Sequence, residues 1–110
     1  MAIGRKTAGF TGNGSSAIMK ADVEEASGGS VAVGFTIAGT WSSVTAKLQL
    51  CADISTSPLV FTDVASASYT SDVADSWSIP VGAYFKVTVT GAGSPLPNLK
   101  LSMLGPIERV

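Results

Sequence analysis

The sequence predicts an all-β fold, an antiparallel β-sandwich of the jelly-roll or Ig-like kind with about six to eight short strands. Apolar residues recur at every second position in several separate segments, and glycine, proline or asparagine fills most of the breaks between them. Successive side chains of a strand point to opposite faces, so a period of two buries one face and leaves the other wet. The third observation is size: 110 residues make one domain, which buries about two-thirds of the surface of its unfolded chain.

The clearest alternation runs over residues 30–38, where Val31, Val33, Phe35 and Ile37 share a face and Ala32, Gly34, Thr36 and Ala38 the other. Residues 43–52 put Val44, Ala46, Leu48 and Leu50 together against Thr45, Lys47 and Gln49. Over residues 83–90, Ala83, Phe85, Val87 and Val89 point inward and Tyr84, Lys86, Thr88 and Thr90 outward. Leu99, Leu101 and Met103 alternate with Lys100 and Ser102. Shorter runs at 15–20, 59–64 and 77–79 are weaker strands.

Turn residues punctuate the runs at 12–14, 28–30, 38–40 and 80–82, and a Gly/Pro-rich loop occupies 91–97. Residues 22–26, which hold Asp22, Glu24 and Glu25, read as a loop or a single helical turn. The Ser/Ala-rich stretch 64–75 reads as mobile. Residues 1–14, rich in glycine, are expected to be a flexible N-terminal arm, with the sandwich domain over 15–110.

Composition limits the function classes. Charged residues are 14% of the chain, against about 25% in an ordinary domain. The formal net charge is −1, so neither sign of charge keeps copies apart. A surface built from Ser, Thr, Ala and Gly suits a protein packed against other subunits. The cations Arg5, Lys6, Lys20, Lys47, Lys86, Lys100 and Arg109 are scattered, which gives no basic stripe for nucleic acid. No apolar run is long enough for a membrane helix, and the N-terminus lacks the apolar segment of a secretory signal. The protein is therefore expected to be soluble and made in the cytoplasm.

Chemistry-bearing residues are few. The chain has no histidine, which removes the commonest general base and zinc ligand together with Ser/His and Cys/His nucleophile systems. The lone Cys51 lies in an apolar run and reads as a small buried hydrophobe rather than a reactive thiol. Asp22, Glu24, Glu25, Asp53, Asp63, Asp72, Asp75 and Glu108 fall mostly in loops or at strand ends, where solvated acids are the rule; paired-carboxylate catalysis is disfavoured. Residues 71–76 supply two carboxylates and two hydroxyls, yet match no calcium loop, and Ser/Asp turns form for local backbone reasons. The glycine-rich 9–14 segment lacks the Lys-Ser/Thr of a phosphate loop. No catalytic residue, cofactor or metal is expected. The aromatics Trp41, Tyr69, Trp77 and Tyr84 either cap the core or stack a ligand such as a sugar. If Phe85 is core, Tyr84 faces outward.

Gly39-Thr40-Trp41, Thr45-Ala46-Lys47-Leu48-Gln49-Leu50, Val60-Phe61-Thr62-Asp63-Val64 and Gly82-Ala83-Tyr84-Phe85-Lys86-Val87 follow one another in this order. Over residues 31–104 this series resembles a loose family of small tailed-phage virion proteins. The resemblance implies a β-sandwich acting as a capsid decoration or cement protein, or as a tail or head-fibre component. It implies no catalytic residues. Expected partners are the major capsid protein or other virion subunits and further copies of the chain, with the virion as location. Candidate interface residues are Arg5, Lys6, Phe10, Trp41, Tyr69, Trp77 and Tyr84. A carbohydrate-binding module is the alternative.

Overall fold

The computed structural model describes residues 4–21 and 29–110, and among them every regular element is a strand. In chain order these are β1 (Gly4–Phe10), β2 (Gly14–Ser15), β3 (Met19–Ala21), β4 (Ser30–Thr40), β5 (Thr45–Cys51), β6 (Thr62–Tyr69), β7 (Val73–Pro80), β8 (Tyr84–Thr90), β9 (Asn98–Gly105) and β10 (Ile107–Arg109). The reading of residues 22–26 and the first three residues of the expected arm lie outside the described residues.

Two antiparallel sheets pack face to face. One has the order β1-β9-β4-β7; the other runs β10-β3-β8-β5-β6, with β2 beside β3 along β8. Taking β2 and β3 as one interrupted strand, the pairing is nested: β1 with β9, β3 with β8, β4 with β7, and β5 with β6. The first strand thus meets the last but one, and each inner pair closes inside the one before. That is the jelly-roll arrangement, with β10 added along β3.

The alternation predicts the core well. Val31, Val33, Phe35 and Ile37 of β4 and Phe85, Val87 and Val89 of β8 are buried, as are Val44, Ala46 and Leu48. Leu99, Leu101 and Met103 of β9 join the same core from beside β4. Cys51 is buried as well, but outside this cluster: it pairs with Tyr84 on the far face of its sheet, and its thiol donates to the Asp53 carbonyl at 3.3 Å.

Three expectations change. Gly4–Phe10, expected in an arm, are paired with β9 along their whole length. Their alternation is faint because only Ala8 and Phe10 are apolar on the inner side and Lys6 shares it. Most of the stretch expected to be mobile is strand: it supplies the body of β6 and the start of β7, Ser and Ala being small enough for an edge that buries little. The Gly39 break is not a turn but a bend inside β4. Gly39 sits at φ 138°, and a side chain there would drive into the Asn98 carbonyl.

The turn lies further on, where Val44 N–H donates to the Trp41 carbonyl across Ser42 and Ser43, both at positive φ (50° and 67°). Two left-handed central residues define the I′ pattern, normally written Asn-Gly, so serine hid it in the sequence. The predicted 80–82 turn is present: Ala83 N–H donates to the Pro80 carbonyl over Gly82 at φ 80°.

Each sheet edge is blunted. Lys6 points inward on β1, Pro80 ends β7, and β10 is three residues long. On β6 the register slips: Lys47 pairs with Ser68 but Gln49 with Asp63, so a bulge centred on Ser66 (φ 68°) breaks the ladder.

Replacing Gly39 by alanine combines a left-handed backbone with a backbone clash and is expected to cost more than ~1 kcal/mol in urea unfolding. The same change at Gly34, where an added Cβ meets only the Leu104 carbonyl at 3.8 Å, is expected to be neutral or stabilising.

Candidate interaction surface

The aromatic residues form two separate arrangements. Trp77 of β7 is buried (6% exposed) and stacks on Phe35 of β4, with centroids 3.8 Å apart and planes at 12°. Its Nε1 donates to the Tyr69 hydroxyl at 3.0 Å, which ties β7 to β6 of the other sheet. Tyr69 also leans on Phe35, at 5.4 Å between ring centroids. Trp41 is half-buried at the end of the sandwich. Its Nε1 donates to Asp72 Oδ1 at 2.8 Å, and the Gly39 amide donates to the same oxygen at 3.1 Å. One carboxylate thus holds the bend in β4 to the indole that follows it.

Several interface candidates are relocated by these contacts. Phe10 (5% exposed) and Trp77 lie in the core and present no face to a partner, because both occupy inward positions of their strands. Tyr69 is half-buried beside Trp77, and Trp41 is fastened to its own chain. Arg5 is exposed on the outer side of β1, Lys6 is half-buried on its inner side, and Tyr84 is half-buried on the outer side of β8. The candidates therefore do not converge on one site.

The acids of residues 71–76 do not converge either. Asp72 and Asp75 are an odd number of residues apart, which sends them to opposite faces. Asp72 borders the outer surface near Ala38 and Ala74; Asp75 borders a cleft between β6 and β7 and accepts from the Ser76 amide at 2.8 Å. That cleft, of about 230 Å³, is lined by Ser66, Tyr69, Asp75, Ser76 and Ser78 over Trp77. No group of three or more metal-ligating side chains comes together among the described residues.

The outer faces of the two sheets differ in kind. On the β10-β3-β8-β5-β6 sheet, a polar rung crosses β2, β8, β5 and β6. Thr88 donates to Gln49 Oε1 at 2.7 Å, which leaves its oxygen to accept from Ser15 at 2.8 Å. Gln49 Nε2 donates to Asp63 Oδ1 at 2.8 Å, and Lys47 Nζ reaches Asp63 Oδ2 at 3.4 Å. Lys86 lies over the Phe61 ring at 4.6 Å, and Lys20 is flanked by Tyr84 and Glu108. This face is charged, and its central polar side chains bond one another.

The outer face of the β1-β9-β4-β7 sheet is smooth. Its register lines up Arg5, Leu104, Gly34 and Ser76 in one row, and Thr7, Ser102, Thr36 and Ala74 in the next. A third row holds Gly9, Lys100 and Ala38, with Asp72 at its end. Small and hydroxyl side chains fill most positions. Leu104 stands up from them at 53% exposure, beside a shallow apolar hollow of about 230 Å³ at Gly34. Neither residue was among the sequence candidates, although the signal is present: Leu104 follows inward Met103 and so falls in the outward phase of β9.

The Asp63 carboxyl titrates below the ordinary aspartate range, chiefly because Gln49 donates to its charged form, with Lys47 adding to the effect. A carboxyl depressed on folding adds stability above its unfolded pKa of about 4, and that stability is lost as pH falls through the folded value. In a pH titration followed by carboxyl-carbon NMR, Gln49→Ala is expected to raise the Asp63 midpoint; an unmoved midpoint contradicts the assignment. Asp72→Ala frees the Trp41 indole and is expected to shift tryptophan emission to the red.

No family model matches the chain, and no curated protein or solved structure matches it.

Proposed function

We propose that this chain is a non-enzymatic structural protein of a tailed-phage virion, a capsid decoration or cement subunit that packs the outer face of its β1-β9-β4-β7 sheet against neighbouring protein. The contrast between its two outer faces carries this reading. Contact surfaces are depleted in Lys, Glu and Asp at their centres, and so is this face. The other sheet concentrates its charges in a network that water solvates well.

The particle type follows from the resemblance over residues 31–104. The jelly roll is common to viral coat proteins and sugar-binding lectins, so the fold admits both readings and chooses neither. Against catalysis stands the missing histidine, together with the dispersal of Asp63, Asp72 and Asp75 over different faces. The working location is the virion, after synthesis in the host cytoplasm. A tail or head-fibre component would use the same surface in the same way.

A second reading has one observation behind it. The cleft between β6 and β7 offers hydroxyls, the Asp75 carboxylate and the Tyr69 ring, a lining that suits a sugar. Its aromatic floor is poor for stacking, because Trp77 is covered by Phe35.

The test is reconstitution. Heads of the phage that encodes the chain, prepared without it, are mixed with purified protein and banded on a density gradient. Saturable co-banding and a rise of several degrees in head-rupture temperature are expected. Protein that remains free of heads and tails while binding a glycan array sinks the virion reading in favour of the sugar-binding one.

A further inference from the structure

We infer that the partner on this smooth face is a second copy of the chain, docked face to face about a two-fold axis that runs parallel to the strands between β9 and β4. This deepens the preceding proposal and rests on its reading of the face as a contact surface.

A two-fold axis in that position reverses the order of strands across the interface. It lays β9 of one copy over β4 of the other, and β1 over β7. The central row then pairs Leu104 with Gly34 twice: each exposed leucine enters the hollow that the other copy's glycine leaves. In the next row Ser102 meets Thr36, two hydroxyl side chains that can exchange a hydrogen bond. A two-fold axis perpendicular to the strands would set Leu104 against Leu104 and leave both hollows empty. Knob and hole therefore select the axis.

Charge agrees with the same placement. Arg5 of each copy comes over Ser76 of the other, so the two Arg5 backbone positions lie about 14 Å apart, three strand spacings. Lys100 comes over Ala38, next to Asp72 at the end of the same row. Asp72 accepts twice at Oδ1 from its own chain, and a carboxylate has a second oxygen with which to accept from that lysine. The face thus carries its own counter-charge, set so that rotation brings unlike signs together.

Size is adequate. Four strands of seven to eleven residues cover roughly 20 by 25 Å, about 500 Å² in projection, which is the order of the ~800 Å² per partner that a standard interface buries. Two twisted sheets pack at about 30°, so the central rows make the closest contacts and the corners the loosest.

The experiment is light scattering behind a sizing column over a concentration series, on four proteins. The unaltered chain is expected to be a dimer. Leu104→Ser removes the knob, and Gly34→Leu fills the hole with a side chain whose Cβ meets only the Leu104 carbonyl, at 3.8 Å. Each is expected to weaken dimerisation at least tenfold, with circular dichroism used to confirm that the variant is folded. The swap Leu104→Ala with Gly34→Leu moves the knob to β4 and the hole to β9 and is expected to restore the dimer.

A chain that is monomeric throughout overturns the inference, as does an oligomer indifferent to both single changes. A folded swap variant that stays monomeric overturns the axis. The reading of the chain as a virion component is judged separately. Monomeric protein that still coats heads removes only the second-copy partner, and a dimer that ignores heads removes only the virion role.

Discussion

The stack of Trp77 on Phe35 is the contact on which the open side of the sandwich depends. The two rings belong to neighbouring strands of one sheet, and the indole N–H reaches across to the Tyr69 hydroxyl of the other. An aromatic pair of this kind contributes about 0.5–1.5 kcal/mol beyond its burial. Its position matters more than that sum. β6 and β7 are edge strands, one in each sheet, and the ladder alone does not join them. The aromatic tie closes that side of the sandwich over the core. The Asp72 carboxylate performs a similar task at the sandwich end, where the polypeptide leaves one sheet for the other through the Ser42–Ser43 turn.

Much of this fold was legible because two-residue periodicity follows from the pleat and needs no knowledge of partners. β4, β8 and β9 are long, half-buried and strictly alternating, and they lie close to where the sequence predicts them. β1 and β6 were hidden for the converse reason. They are edge strands that bury little, so Ser, Ala, Thr and Gly satisfy them as well as Val or Ile would. Gly39 was misleading because a glycine can mark a bend inside a strand as readily as a turn between strands. The choice between jelly-roll and Ig-like order could not be read from periodicity, since strand order is decided by non-local pairing.

The site was far less legible than the fold. Choosing interface residues by aromatic type selected Phe10 and Trp77, which the core had already claimed. The informative residues were a leucine in the outward phase of its strand and a glycine directly opposite it. Neither is chemically unusual by itself. They acquire meaning from register, which aligns Arg5, Leu104, Gly34 and Ser76 across four strands far apart in the chain. A contrast between two faces is likewise a property of the whole sheet and not of any segment.

The bulge at Ser66 and the inward lysine on β1 bear on what happens when many copies crowd together. Unpaired strand edges are templates for cross-β growth, and a chain poor in charge has little long-range repulsion to prevent it. With its ladders interrupted at the rims, this protein offers a neighbour a flat surface of side chains instead of a free run of backbone hydrogen bonds. Such association saturates once a partner is seated, whereas strand addition propagates without limit. Crowded copies of such a chain therefore find few free backbone edges on which to seed fibrils.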